Sequence, residues 1–582
     1  KGQVARIRDN LLNRTTQSEY DLANRPVRVK TSEDAKHVYT GQVAYDNVYG
    51  NLSEFTEKVG ENRQEFGTKF GYDDENRPTS LTYSIGATTI GQSTTTIDKL
   101  NRTTFSAVKL GSKTFTSEYH FAAGGYGTGS VTNLVSSITQ PGCNCGYGYD
   151  DNGNIASATL NGKWMDYTYD ALGQLIQVND RSDTRAGDNG STWVYEYDRG
   201  GNILSKKLYP YANTSSEPLQ TMRFSYGNAN WKDQLTAVDG VTITYDAIGN
   251  PLNDGTWTYT WENGRQLKQM QSVDTTATFV YNENGLRVQK TVNGLVTKYT
   301  LHSKNVVHMT QDSNNLHFFY DAQNKPAVVV YNDIPYSYVK NLQGDIVAIL
   351  DSTGTAVVNY VYDAWGRPIS KTGSMAGTLG TVQPFRYRGY VYDEETGLYY
   401  LRSRYYSIRI CRFINSDAVL LKTENFAHNG YTYCSNNPIY FLDTSGTCVT
   451  CSYCEECGEE HLLFSGEVGD KMEHVQKKNY KNGRMKVCQF MALLEQMLIE
   501  EWKYDHDTAY GRVDCVGIYR YTMYWYYSAS SVKALKISTH VEGTYRNSVY
   551  NKTDPKKNVV GKGKIDANTE FRIGMGLFRN PF

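Results

Sequence analysis

The residues whose types are best suited to chemistry lie after position 446. Asp514-Cys515-Val516-Gly517 sets a cysteine between an acid and a small-residue turn that leads into an apolar segment. Several cysteine hydrolases seat their nucleophile this way, at a helix N-terminus, where the macrodipole lowers the thiol pKa and backbone N–H groups bind an oxyanion. The commoner fate of a single cysteine is to be buried and inert. Upstream, Cys448, Cys451, Cys454 and Cys457 follow one another with two residues between neighbours. Four thiolates can complete a tetrahedral zinc site, but such pairs normally stand further apart, and four ligands in so short a run strain one tetrahedron. The run also lacks the last spacing and the proline of an iron–sulfur motif. A thiol-rich linker explains these cysteines equally well, and no cofactor is expected.

Elements must position these groups. Between Met485 and Tyr504, Val487, Phe490, Met491, Leu494, Met497, Leu498 and Trp502 carry the spacing of one apolar helix face, which predicts an amphipathic helix pointing into the Cys515 segment. The larger part of the chain reads differently. Of 582 residues, 48 are Tyr and 51 Gly but only 13 are Pro, which suits many short strands joined by tight turns. The net charge of −1 gives no global pull toward nucleic acid or an anionic membrane. Lys477, Lys478, Lys481, Arg484 and Lys486 form a basic stretch that reads as a solvated helix entrance, so nucleic acid is not a favoured partner. No apolar run approaches the roughly 20 residues that span a bilayer. The opening Lys1-Gly2-Gln3 is expected to be an internal start cut from something longer. Cys143 and Cys145 sit together and Cys411 and Cys434 stand alone, too few thiols for a disulfide-stapled scaffold over the first 400 residues.

One phrase recurs: Tyr-x-Tyr-Asp, two or three residues, Gly or Asn, a polar residue and an apolar one. Tyr147-Gly148-Tyr149-Asp150 leads to Gly153-Asn154-Ile155, Tyr167-Thr168-Tyr169-Asp170 to Gly173-Gln174-Leu175, and Tyr195-Glu196-Tyr197-Asp198 to Gly201-Asn202-Ile203. Looser copies lie at Tyr45, Tyr72, Tyr245, Tyr281, Tyr320 and Tyr360, with a period of roughly 20 to 28 residues. Each phrase predicts a hairpin with both rings on one strand face, and since a lone hairpin cannot bury its apolar face, the units must stack into a continuous sheet.

These phrases resemble the YD repeats of the RHS/YD-repeat proteins. The likeness continues through Lys340-Asn341-Leu342-Gln343-Gly344-Asp345, Pro384-Phe385-Arg386-Tyr387-Arg388-Gly389-Tyr390 and Thr396-Gly397-Leu398-Tyr399-Tyr400-Leu401-Arg402-Ser403-Arg404-Tyr405-Tyr406 to Ser435-Asn436-Asn437-Pro438, a stretch similar to the RHS-associated core. The resemblance implies a mainly β protein: a spiralling β-shell over 1–339, a core closing it over 340–446, a Cys-rich linker over 447–484 and a small α+β payload over 485–582. It also implies self-cleavage just after the core by paired aspartates, for which Asp417 and Asp443 stand at the matching positions. Two carboxylates held close can share a proton, one activating water while the other protonates the leaving group. Thr444 replaces the family's usual Pro, and Leu420 replaces a Gly. Apart from cleavage, both aspartates suit turns that close the shell.

The tail resembles the NlpC/P60 cysteine peptidases in its Asp514-Cys515-x-Gly517 and in Phe571-Arg572-Ile573-Gly574-Met575-Gly576-Leu577-Phe578, which is similar to the segment before that family's catalytic His. The resemblance implies Cys515 as nucleophile, but no His follows Gly574, and His506 and His540 fall too early. A neutral imidazole is what makes such a thiol work, so the module is expected to be truncated, degenerate or rewired. Two functions follow, ahead of a third, a toxin of another class such as a nuclease, for which the tail shows no His-rich or paired acidic motif of the familiar kinds. One is a secreted bacterial polymorphic toxin or wall protein presenting an effector against peptidoglycan, with a cognate immunity protein as partner. The other is a non-enzymatic surface protein whose exposed tyrosines bind cell-surface glycan.

Overall fold

A computed structural model describes residues 4–446 apart from 11, 24, 35, 47, 60–64, 125–130 and 418–428, and beyond them 450–451, 500–508, 511–528, 531–549 and 559–573. Twenty strands, from Arg6–Asp9 to Val241–Thr242, form one sheet in which consecutive strands pair antiparallel. Fourteen more, from Thr244–Tyr245 to Pro368–Thr372, form a second. A four-stranded sheet, Val391–Asp393, Leu398–Tyr400, Tyr405–Ser407 and Arg412–Phe413, follows within the core segment. The expectation of a mainly β shell thus matches the architecture. Among the described residues no helix is long and apolar enough to cross a membrane.

The repeat phrase explains how each hairpin turns. The Asp150 carboxylate accepts the backbone N–H groups of Asn152 at 2.9 Å and Asn154 at 2.8 Å, and its other oxygen takes Asn154 Nδ2 at 2.9 Å. Asp170 repeats this with Gln174, and Asp198 with Asn202. At Asp73 and Asp98 the partner is an arginine, Arg77 or Arg102, with the same backbone bond. The polar residue after the turn glycine is therefore fixed by the need to fill the second carboxylate oxygen, and Gly153 supplies the left-handed step at φ +79°.

The second tyrosine of each phrase links one unit to the one before it. Tyr169 Oη donates to the Ile155 carbonyl at 2.7 Å, Tyr197 to Leu175 at 2.7 Å and Tyr226 to Ile203 at 3.0 Å. Tyr72 reaches Leu52, Tyr281 reaches Leu267 and Tyr320 reaches Val306 in the same way. The accepting residue is the first or second of a return strand. Pairing between the strands Ile155–Leu160 and Lys163–Tyr169 runs only as far as Ser157 opposite Asp166, and the next hairpin has a bulge between Thr168 and Tyr169. The Ile155 carbonyl thus lies past the end of the ladder, where a buried C=O needs another donor. Burial raises the Tyr169 pKa well above that of a free phenol, keeping its proton on the oxygen as the donor this bond needs.

The two sheets also face one another. Tyr83 Oη donates to the Tyr320 carbonyl at 2.9 Å, and the rings of Phe66 and His317 stack with centroids 3.6 Å apart. Beside them, Glu57 accepts the Tyr39 hydroxyl at 2.9 Å and lies 3.6 Å from His317 Nε2. Burial pushes the Glu57 carboxyl up to about 8, and burial pulls His302 down to about 4. At neutral pH this contact is therefore built mostly of uncharged groups.

The core segment fastens to both sheets through buried cations. Arg287 of the second sheet makes a two-pronged pair with Asp393, at 2.5 and 3.0 Å, with both side chains about 1% exposed or less. Arg412 reaches the Tyr226 hydroxyl and the Asp233 carbonyl, each at 2.7 Å, at the end of the first sheet. Asn436 bonds Gln174 and the Gly201 carbonyl.

The α+β expectation for the tail is not met among the described residues. Glu500–Thr508, Gly511–Ser528, Ser531–Val549 and Val559–Ile573 are four antiparallel strands. The helix expected from Met485 lies outside the described residues until Glu500, where a strand begins. Tyr519, Tyr521, Tyr524, Trp525, Tyr526 and Tyr527, in the strand Gly511–Ser528, are strand-favouring types.

Two outcomes follow. Tyr169→Phe removes one link and leaves the Ile155 carbonyl without its donor; a urea titration should show a loss of about 1–3 kcal/mol. Since the Glu57 pKa is raised on folding, its contribution is fully present below about 4.3 and is lost as pH climbs toward about 8. Glu57→Gln should come nearest to wild type in denaturation midpoint at about pH 4 and exceed it at pH 8; an equal gap at both would contradict this.

Candidate functional site

Three short segments of the core converge on one side chain. The strand Leu398–Tyr400 ends in a turn in which the Leu401 N–H donates to the Arg404 carbonyl at 2.9 Å, with Arg402 at φ +63°. This aims Arg404 inward, where its guanidinium lies over the Phe413 ring at 3.6 Å and is 7% exposed. Nη1 donates to the Gly430 carbonyl at 2.9 Å, and Nε donates to the Gly446 carbonyl. Nη2 contacts the Asp417 carboxylate at 2.9 Å and lies 3.7 Å from that of Asp443. Burial pulls the Arg404 pKa down, and the two aspartates oppose this; the group stays cationic.

Each aspartate is held by its own surroundings. The Asp417 N–H donates to the Gly430 carbonyl at 2.9 Å, and the residue before it, Ser416, receives Arg265 Nη1 of the second sheet on its carbonyl and hydroxyl at 2.6 and 2.7 Å. The Asp443 N–H donates to Tyr390 Oη at 2.8 Å, while its carboxylate accepts the N–H groups of Gly446 at 2.7 Å and Ser445 at 3.2 Å. Asp443 is 1% exposed and Asp417 12%. Gly446, at φ +75°, closes the loop where a Cβ would come within 2.6 Å of the Leu401 carbonyl.

The expected aspartate pair is therefore brought to one place, with a guanidinium between its members. Sequence reasoning missed Arg404 and Arg265. The signal was present as the arginines of a stretch otherwise rich in Tyr, Leu and Ser, since arginines buried among aromatic rings must be paired. Asp443 also closes a turn, as expected of it, through the N–H groups of Ser445 and Gly446.

Other expected site residues fall elsewhere. Cys515 lies inside the strand Gly511–Ser528, opposite Tyr504 and Tyr545, rather than at a helix N-terminus. His506 is opposite Val513 and His540 opposite Arg520 and Asn568. Of the four linker cysteines, Cys451 sits in a short strand opposite Phe441, and Cys448, Cys454 and Cys457 lie outside the described residues. Among the described residues no cluster of three or more His, Cys, Asp or Glu is arranged to hold a metal.

Comparison with known proteins agrees with this architecture. Residues 160–439 match the family model described as Teneurin YD-shell. The matched residues lie within the two large antiparallel sheets and the core segment, an architecture similar to a YD-type shell. The chain is 37% identical over 286 residues to the tRNA nuclease WapA of Bacillus subtilis, covering 48% of this chain and 12% of that protein. It is 24% identical over 350 residues to the double-stranded DNA deaminase toxin A of Burkholderia cenocepacia, covering 55% of this chain and 22% of the relative. The crystal structure of TcdB2-TccC3-Cdc42 superposes with a TM-score of 0.51 at 17% identity, over 75% of this chain and 27% of that one. The YD-type shell thus spans only a small part of its relatives' length.

Arg404→Met would leave the buried Asp443 beside an apolar side chain, and removing one member of a buried ion pair costs about 3–5 kcal/mol. Chemical denaturation of this variant should show that loss; a change below about 1 kcal/mol would mean that the guanidinium does not hold the segments together.

Proposed function

We propose that this chain is the shell portion of a secreted, polymorphic-toxin-type protein, and that it severs the segment following Gly446 through Asp417 and Asp443. One observation carries the reading: a single guanidinium, Arg404, contacts both carboxylates and the Gly446 carbonyl. A cation on a peptide carbonyl favours the charge that builds on oxygen during attack. Two carboxylates around it supply a base for water and an acid for the departing nitrogen. The acid role requires one of the two carboxyls to carry a proton when the pair works.

The names carried by the two sequence relatives, a nuclease and a deaminase toxin, support an effector beyond the shell. Cys515 is the proposed nucleophile if that effector is a peptidase, and alkylation of Cys515 with loss of hydrolysis of a peptidoglycan fragment tests that part alone. The glycan-adhesion reading draws less support. The tyrosines that would present hydroxyls to a sugar give them to backbone carbonyls within the sheet.

Intact-mass measurement of the purified chain should show two species cut on the C-terminal side of Gly446, and one full-length species for Asp443→Asn and for Asp417→Asn. A wild-type chain that stays whole after prolonged incubation across pH 4–8 overturns the proposal.

A further inference from the structure

Cys143 and Cys145 belong to no part of the site above, and the sequence alone gives them no role. Their Sγ atoms are 3.1 Å apart and both thiols are buried, Cys143 at 2% exposure and Cys145 at 4%. That separation is closer than an ordinary contact of two sulfur atoms and about 1 Å longer than a disulfide bond. No other cysteine of the described residues is placed in contact with them, and two thiols alone do not make a metal site.

The pair sits on the turn that joins the strand Val131–Thr139 to the strand Cys145–Tyr149, and this turn docks on the second sheet. Gln140 Nε2 donates to the Lys340 carbonyl at 2.7 Å, and the Leu342 N–H donates to Tyr147 Oη at 3.1 Å. Gly142, at φ +78°, lies against the Leu350 and Ala348 side chains. The cysteines themselves pack in an apolar cluster with Val347, Ala348 and Leu350. A covalent closure here would therefore act on the seam between the two large sheets.

We propose that Cys143 and Cys145 are a redox-active dithiol that closes to an intramolecular disulfide and thereby fixes the turn docked on the second sheet. The oxidant is a low-molecular-weight disulfide of the kind met outside the cell. The Cys145 thiolate attacks one sulfur of that disulfide and expels a thiolate, giving a mixed disulfide. The Cys143 thiolate then attacks the Cys145 sulfur and expels the second thiolate. Two electrons pass to the small molecule, whose two thiolates take up the two protons lost by the cysteines. The hydrogen bond from the Cys143 thiol holds the Cys145 pKa below its usual value, and the same bond, with burial, pushes Cys143 up, which makes Cys145 the first attacker. Because both sulfurs are buried, the exchange occurs while the turn is undocked, and docking then shields the product.

The test uses the full chain incubated with oxidised glutathione or with dithiothreitol, quenched with iodoacetamide in denaturant, and mapped by peptide mass across residues 131–163. The expected result is one peptide unalkylated at both cysteines and about 2 Da lighter after glutathione, and alkylated at both after dithiothreitol. With Cys143→Ser the second step is impossible, so Cys145 should retain a glutathione adduct. Alkylation of both cysteines in both wild-type samples overturns the proposal, as does linkage of either to a cysteine elsewhere in the chain. A bare Cys145 in the variant overturns its assignment as attacker, and a folded far-UV spectrum for that variant excludes misfolding as the cause.

Discussion

Most repeats of this shell depend on a backbone carbonyl that the sheet itself cannot satisfy. At the start of each such return strand, pairing with the following strand has stopped, and a tyrosine hydroxyl supplied by the next phrase takes its place. The constraint is severe, because the donor must be long enough to cross from one strand to the next, rigid enough to do so with little loss of entropy, and apolar along its length. Tyrosine meets all three conditions and phenylalanine meets only two. The abundance of tyrosine is thus a consequence of hydrogen-bond accounting. It also explains why the phrase repeats its Asp: the turn must return the chain at a fixed position for the next ring to reach the carbonyl.

A different constraint governs the core segment. It packs against both sheets with arginines, and a guanidinium in that setting is tolerated where polar or charged partners take up its donors. Arg287 finds Asp393, Arg412 finds a tyrosine hydroxyl and a carbonyl, Arg386 finds the Gly380 and Gln383 carbonyls, and Arg404 finds two carbonyls and two aspartates. Aromatic faces complete several of these sites, with Arg386 over Tyr360 at 4.5 Å and Arg404 over Phe413 at 3.6 Å. The planar fork of arginine suits this work where the ammonium of lysine does not. Such pairs add little net stability over an apolar core, but a partner out of place leaves a buried charge, so they select one docked arrangement among many.

How much of this could be read from the sequence follows the range of each interaction. The hairpins were legible because Tyr, Asp, Gly and the polar residue after it act within a few positions. The continuous sheet was legible because one hairpin cannot bury its face. The break into two sheets near Ile243 was not, since nothing local marks it. The aspartate pair was found through resemblance, whereas Arg404 between them was invisible: its partners lie 13 and 39 positions away, and only the closed core brings them together. The tail shows the opposite failure. The helix expected from Met485 lies outside the described residues as far as Glu500, whereas the run of aromatic residues from Tyr519 was given too little weight as a strand signal.

The placement of the candidate site also sets a condition on when it can exist. Asp417 follows Ser416, which Arg265 holds by two bonds from a turn of the second sheet, and Asn415 contacts Asn250 of the same sheet at 3.4 Å. Asp443 is fixed through Tyr390, whose ring packs against Tyr433 and Tyr399. Arg404 is fixed by the turn after Tyr400, a residue whose hydroxyl accepts the Arg287 N–H at 2.9 Å. Arg404 shares the Gly430 carbonyl with Asp417 and Gly446 with Asp443, and the two anchors Arg265 and Arg287 belong to the second sheet itself. In a chain whose core has not yet docked, the three groups sit on separate flexible segments, and an effective concentration high enough for intramolecular chemistry is absent. Docking supplies it. Chemistry at this position is therefore conditional on closure of the core, so that any cut made there would come after the shell has assembled and not before.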